Sequence, residues 1–501
     1  MQRSIGDKMG LFDALRFIVS PQRAKQRMLR AYDAAMTDRL HEGWRAVNDA
    51  AENEQSGVRD RLRARARDLE RNSDIIGAAL SAFERNVVST GIVVQPSVMG
   101  ADGVSEKEKL NRAIESAWWE WQNRCDVTGS YSFEDIQRMA LRRRIVDGGL
   151  LIVKCYDREN GFRLQIREVD ELDGAYTAPG NSVFGGVEVD RTGRILRYHF
   201  SGYDYGSLCV GRVEETIPAE RVLYLRNRSR PSQVREITPL ASAMSIIAHL
   251  NSYIEAVTVK ERMLACFGIA ITKQEGGSMF GRGGAEPESK RQMKIAPGMV
   301  MELQPGEKVE AINPQNGAGA NMTEFVKIQT RMLAASLGLS YESLSRDMTG
   351  VSYSSARQAL LDDQRTFKVL QDWLICELCT PVYEAWLEYA VLEGKVPIRP
   401  ADFYDNRQKY TAHTWTPVGW EWVDPQKDIT ASVRALDANM TTLQAVCAEG
   451  GKDWRDVIRQ RKVENDFIAS MGMQKEEANA AGNAASESTA GGTNADAGAG
   501  N

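Results

Sequence analysis

The 501 residues include only four histidines, His41, His199, His249 and His413, and seven cysteines, an odd number scattered along the chain. So few imidazoles and unclustered thiols supply a soft-metal site poorly, and neither a metal nor a cofactor is predicted. Cys376 and Cys379 have C-x-x-C spacing, but no second pair or near His completes a tetrahedron, so they read as buried thiols. No G-x-x-x-x-G-K-[ST] string occurs, which removes the backbone cradle and lysine that a nucleotide-driven motor needs. Long apolar runs are missing too. The longest near the start, residues 11–19, carries Asp13 and Arg16, so neither secretion nor membrane spanning is predicted. Net positive charge is also absent: 63 Lys and Arg against 68 Asp and Glu give −5. Bulk attraction to a polyanion is thereby excluded, and any nucleic-acid contact must be local or geometric.

What is present suits a globular chain of several modules, with 43% hydrophobic and 26% charged residues. Residues 24–40 and 58–80 read as polar helices, the second with Arg59, Arg61, Arg63, Arg65, Arg67 and Arg71. Acids are interleaved, so this face reads as solvated and not as a DNA-binding stripe. A strand at 92–96 precedes a helix at 110–124, whose Trp118, Trp119 and Trp121 are expected to bury against a sheet. After a helix at 133–146, strand patterns recur at 150–156, 162–166, 186–189, 195–200 and 222–225. Turn signals such as Asn160-Gly161 and Thr192-Gly193 separate them, which predicts a mostly antiparallel sheet and an α+β first half.

Pro239 opens a long apolar-striped helix that ends near Gly268. Two β-like pieces, 269–272 and 298–303, then flank a Gly-rich charged loop at 275–290. A helix at 323–337 returns, an irregular stretch follows at 340–352, and a helix at 354–392 is interrupted only by Pro381. A strand at 415–422, helices at 425–447 and 454–470, and an Ala/Gly/Asn/Ser-rich tail expected to be disordered complete the chain. Gly350-Val351-Ser352-Tyr353-Ser354 resembles a nucleophile elbow, but it lacks the final Gly and no strong strand precedes it.

This order of elements resembles that of tailed-phage portal proteins, and particular strings are similar to the lambda family. They are Arg67-Asp68-Leu69-Glu70-Arg71-Asn72 with Asn86-Val87-Val88-Ser89-Thr90-Gly91-Ile92, and Asp147-Gly148-Gly149 where that family usually has Gly-Glu. Gln233-Val234-Arg235-Glu236-Ile237 is similar to a further family stretch, with Glu236 in place of the usual Gly. Leu337-Gly338-Leu339-Ser340-Tyr341-Glu342-Ser343-Leu344, Ser352-Tyr353-Ser354-Ser355 and Val423-Asp424-Pro425-Gln426-Lys427 extend the likeness, which spans residues 60–470. None of these strings is a catalytic fingerprint, so the signal lies in their number and order.

The resemblance implies an α+β portal fold: an N-terminal helical arm (1–57), a wing (58–237), a stem helix (238–266) and a small β clip (267–320). A second stem helix (321–339), a tunnel loop (340–353), a spine helix returning to the wing (354–423), crown helices (424–472) and a disordered tail (473–501) would follow. It implies a ring of about twelve subunits at one capsid vertex. The expected partners are double-stranded DNA, terminase, scaffold, major capsid protein and head-completion or tail adaptor proteins, with no membrane. The expected locations are the virion and, during assembly, the host cytoplasm. Ser345, Arg346, Asp347, Met348, Thr349, Gly350 and Val351 are expected to contact DNA as a mobile tunnel loop. Lys327 and Arg331, at i and i+4, either face the channel or form a solvated pair bonded to Glu324 or another acid. The alternatives are another ring protein of the head-tail junction, or a thiol or serine hydrolase using Cys376, Cys379 or Ser352.

Overall fold

Helices α1 (Ala51–Ser56), α2 (Arg59–Asn72) and α3 (Asp74–Phe83) follow one another closely, and Ser73, in extended backbone, splits the single helix predicted over 58–80. The arginines of α2 do not share one fate. Arg61, Arg65 and Arg71 face solvent, whereas Arg59 and Arg63 are buried and Arg67 is half-buried, at the i, i+4 spacing of one helix face. The predicted solvated face is therefore only half of this helix. Arg63 reaches Asp170 at 2.9 Å and Glu236 at 3.0 Å, and Arg67 reaches Asp147 at 2.7 Å and Asp170 at 2.6 Å. These acids are remote in sequence, which is why local charge patterning missed the contacts. Glu236, fully buried, also accepts from Arg235 Nε at 2.9 Å and from the Tyr224 hydroxyl. Burial would raise its carboxyl, but Arg235 and then Arg63 outweigh burial and hold it at about 2.

The computed structural model describes residues 48–100, 107–176, 182–204, 209–210, 215–266, 270–273, 307–310, 318–420 and 425–471, with isolated positions 39 and 43. The loop at 275–290, the strand predicted at 298–303, the tail at 476–501 and, but for one residue, the helix predicted at 24–40 lie outside them. Strand β1 (Val93–Pro96) is followed by α4 (Glu108–Gln122) and by α5 (Phe133–Val146), which starts in a Ser132/Asp135 capping box. Strands β2 (Gly149–Asp157), β3 (Gly161–Arg167), β4 (Ser182–Phe184), β5 (Val187–Val189) and β6 (Ile195–Phe200) come next. The pair β7 (Tyr203–Asp204) and β8 (Cys209–Val210), then β9 (Glu215–Pro218) and β10 (Val222–Arg226), complete this half. They form two sheets, in the orders β10-β2-β3 and β4-β5-β6-β9, where one mostly antiparallel sheet is predicted, and every ladder in them is antiparallel. Strands β4, β7, β8 and β9 are too short or too polar to stand out in the sequence. Gly148, at φ 90°, turns α5 into β2; a Cβ there would lie 2.5 Å from the Ile237 carbonyl carbon.

After a 3-10 turn at Pro239–Ser242, α6 (Met244–Cys266) leads to β11 (Ala270–Lys273), which pairs with β12 (Glu307–Glu310). That partner strand, Glu-Lys-Val-Glu, has almost no apolar signal, so the sequence did not mark it. Helix α7 (Ala318–Leu337) returns against α6, with the Tyr253 and Phe325 rings 4.7 Å apart. A short helix α8 (Tyr341–Ser345) lies where an irregular stretch is predicted.

Helix α9 (Tyr353–Leu374) continues through a π-helical turn, Ile375–Cys379, into α10 (Thr380–Leu392). The wider turn lies just before Pro381, whose missing N–H and ring would disrupt a regular helix. Cys379 is buried there but Cys376 is exposed, so only one of the two thiols is buried as predicted. After α11 (Pro400–Asp405) and α12 (Arg407–Tyr410), β13 (His413–Thr416) pairs with β1 and stops at Pro417, short of the predicted 415–422. The helix predicted at 425–447 is two, α13 (Pro425–Asp437) and α14 (Leu443–Glu449), parted where Asn439 takes φ 56°. Helix α15 (Trp454–Ser470) is the last described.

The main core gathers α3, α4, α5, α9, α10 and β13. Trp118 packs its ring against Phe133, Tyr383, Trp386 and Trp415, and Trp121 donates its indole N–H to the Phe162 carbonyl at 2.7 Å. Trp119, 59% exposed, turns away from these neighbours, correcting the expectation that all three tryptophans bury. Among the described residues no helix is long and apolar enough to cross a membrane.

Candidate functional site

The segment joining α7 to α9 is built from consecutive local turns. Helix α7 ends at Gly338, φ 72°, with Leu339 N–H donating to Ala334 O at 2.9 Å; a positive φ here suits glycine. Ser340 caps α8, its hydroxyl accepting from Ser343 N–H at 3.2 Å. Asp363, a buried carboxylate on α9, accepts the Ser340 N–H at 2.7 Å, the Ser340 hydroxyl at 2.7 Å and the Ser343 hydroxyl. This one acid fastens the start of the segment to the long helix.

All seven residues of the predicted loop, Ser345 to Val351, are described, and they form a sequence of turns. Ser345 closes α8, its hydroxyl donating to Tyr341 O at 2.7 Å. Arg346 caps that helix in the left-handed region, φ 56°, with its N–H donating to Glu342 O at 2.8 Å. For a residue with a Cβ that conformation costs about 1–2 kcal/mol, which the capping bond offsets. Asp347 accepts Thr349 N–H at 3.0 Å and the Thr349 hydroxyl, an Asx turn, and Gly350 follows at φ 76°. Val351 N–H closes back on Met348 O, and Ser352 then caps α9 by accepting from Ser355 N–H at 3.2 Å. Ser352 is thus a helix cap, with no strand ahead of it to present a nucleophile.

The two predicted α7 cations meet this segment. Lys327 Nζ lies 3.8 Å from Asp347 Oδ2, and the Arg331 guanidinium sits 5.4 Å from the centre of the Tyr341 ring. Of the open alternatives for Lys327, the acid it meets is Asp347, not Glu324. The Tyr341 hydroxyl donates to the same Oδ2 at 3.1 Å. The Thr349 hydroxyl foremost, then the Thr349 N–H, and further Tyr341 and Lys327, hold the Asp347 carboxyl below its ordinary value. Arg346 is exposed and forms no ion pair among the described residues. Met348 and Tyr353, each more than half exposed, border a cavity of about 180 Å³ against α9, room for a side chain but not for a substrate.

Two residues important to this geometry were not singled out from sequence. Tyr341 links Arg331 to Asp347, the acid that Lys327 meets directly, and Asp363 anchors the start of the segment. The Ser340 cap just ahead of Tyr341 was a readable signal for the first; nothing local marks Asp363, whose serine partners lie 23 and 20 positions earlier.

A family described as phage portal protein, lambda family, matches residues 37–371. A "Probable portal protein" of Halomonas phage phiHAP-1 is 28% identical over 460 residues, covering 88% of this chain and 87% of the relative. Portal protein B of Escherichia phage lambda is 22% identical over 438 residues, covering 79% and 82%. A chain in the virion of a native gene transfer agent particle aligns with a TM-score of 0.40 and 12% identity, over 69% of this chain and 87% of that one.

Proposed function

The chain belongs to the lambda family of phage portal proteins, and we propose that it works as a closed ring of about twelve copies through which double-stranded DNA is packaged and later leaves. Portal proteins of this family are structural components without an enzymatic reaction, so the hydrolase alternative lapses. On this reading α6 and α7 form the stem, β11 and β12 belong to the clip, α9 with α10 is the spine, and α13 to α15 form the crown. Terminase and the adaptor proteins would dock at the clip, and scaffold and major capsid protein would bind the outer rim during assembly in the host cytoplasm. The finished ring would reside at one vertex of the virion.

The observation that carries the ring is an apolar stripe on α7. Phe325, Ile328 and Met332 are 41%, 49% and 52% exposed at i, i+3 and i+7, a face roughly opposite the buried Thr330, Leu333 and Ala334, and of the three Phe325 is the one whose ring meets Tyr253 of α6. A neighbouring copy covers that stripe in a ring. Such a ring places a loop from every subunit around one axis, and a subunit charge of −5 keeps the duplex from binding too tightly to slide.

The test is Arg346→Glu. Rings and procapsids should form at the level of the unaltered protein, while packaged DNA or its retention falls. Full-length packaging at unaltered yield, with the loop outside the channel in a ring reconstruction, would refute the assignment of residues 345–351.

A further inference from the structure

Three cations surround the loop, and they are not in the same state. Arg346 is exposed without an ion pair among the described residues, while Lys327 is held by Asp347 and Arg331 lies over Tyr341. Both oxygens of Asp347 are in use: Oδ1 accepts from Thr349 twice, and Oδ2 takes the Tyr341 hydroxyl and Lys327. The carboxylate is therefore fixed by neutral donors, independently of the lysine.

The pair itself is loose. Its side chains are 33% and 30% exposed and 3.8 Å apart, whereas Arg63 and Glu236 stand at 7% and 0% exposure and 3.0 Å. An ion pair of the first kind is weak and exchanges readily with another anion; one of the second kind does not, because opening it strands buried charge. Lysine is also the cation suited to exchange, a point charge on a flexible four-carbon stem.

We propose that Asp347 is a positioning residue for DNA passage, an internal substitute for phosphate that holds Lys327 between contacts with the duplex and competes for it during them. The inference rests on the reading of this loop as lining the channel. A backbone phosphate arriving near Arg346 draws the Lys327 ammonium away from Asp347. The carboxylate stays in place on Thr349 and Tyr341, ready to take the ammonium back when the phosphate moves on. No backbone rearrangement is needed. The duplex meets one constant cation, Arg346, and one that is returned after each contact.

The experiment measures equilibrium binding of a double-stranded DNA fragment to the full-length assembled protein as salt is varied. The variants are Asp347→Asn, Asp347→Glu, Lys327→Gln, Arg346→Glu and the Lys327→Gln/Asp347→Asn double variant, with particle size and thermal unfolding as controls for assembly. Asp347→Asn should tighten binding at low salt and steepen the slope of log K against log salt by about 0.9 for each further phosphate neutralised. The double variant should lose that gain, and Asp347→Glu should bind like the unaltered protein. If Asp347→Asn leaves affinity and slope unchanged while Arg346→Glu weakens binding, the competition is refuted and the loop reading stands. If neither Arg346→Glu, Lys327→Gln nor Asp347→Asn has any effect, the loop reading falls and the inference with it. Should Asp347→Asn fail to assemble, Lys327→Gln decides alone: a lowered slope is expected, and an unchanged one overturns the proposal.

Discussion

Arg63 Nη1 donates to Glu236 Oε1 at 3.0 Å with both side chains buried, Glu236 completely, so the second turn of α2 is joined to the chain just ahead of α6 by a charge pair out of reach of solvent. Arg235 Nη2 meets the same carboxylate oxygen at 3.0 Å, and Arg59 Nε donates to the Glu236 carbonyl at 3.1 Å. Glu236 thus makes this junction ionic.

Glu236→Ala should therefore destabilise the protein by about 3–5 kcal/mol, because it leaves Arg235 buried without its carboxylate and takes from Arg63 the most deeply buried of its acids, Asp60 and Asp170 remaining. Guanidinium unfolding followed by tryptophan fluorescence measures it; a loss under about 1 kcal/mol would mean the arginines find other partners. The same group sets an acid limit. Its folded value is lowered from 4.5 to about 2, so its contribution is fully present above about pH 4.5 and is lost as pH falls through about 2. Comparing unfolding of the protein and the alanine variant down that range should show the two converging.

Gly148→Ala should cost more than about 2 kcal/mol. The residue has φ 90°, and the new Cβ would lie 2.5 Å from Ile237 C and 2.8 Å from Thr238 N, backbone atoms that no side-chain rotation removes. Soluble yield and melting temperature report the effect. Gly193→Ala, with φ 83° but no atom within 4 Å, should cost less and is the matched control.

Asp363→Ala should cost about 2–3 kcal/mol, since it strands the Ser340 N–H and two serine hydroxyls in a partly buried site. The larger effect should be local. Amide exchange over residues 339–352 should accelerate well beyond that of α10, and equal acceleration in both would show that the acid supports the long helix generally.

Ile328→Glu places a charge in the middle of the exposed α7 stripe. It should leave the monomer folded, with unchanged far-ultraviolet circular dichroism, and abolish closed rings in sedimentation or negative-stain images. Rings at normal yield would show that this face is not the one a neighbouring copy covers.

What the sequence determined by itself is everything that depends on near neighbours along the chain. Helix α5 and strand β6 fall on their predicted residues, because a capping box with 3.6-residue periodicity and a β-rich run with turn signals on both sides each act over a few positions. The family too was legible, through short strings in a fixed order. What only the tertiary structure decided are the encounters between residues far apart. Whether Arg63 and Arg67 face water or an acid depends on Asp147, Asp170 and Glu236 arriving from other elements. Of three neighbouring tryptophans, helix geometry and the position of α10 choose Trp118 and Trp121 and leave Trp119 outside. Lys327 reads from sequence as a cation on a helix face. That it is held by Asp347 follows from the turn of chain between α7 and α9, whose start is fastened by Asp363, and no local pattern encodes a contact that exists only once those helices are side by side.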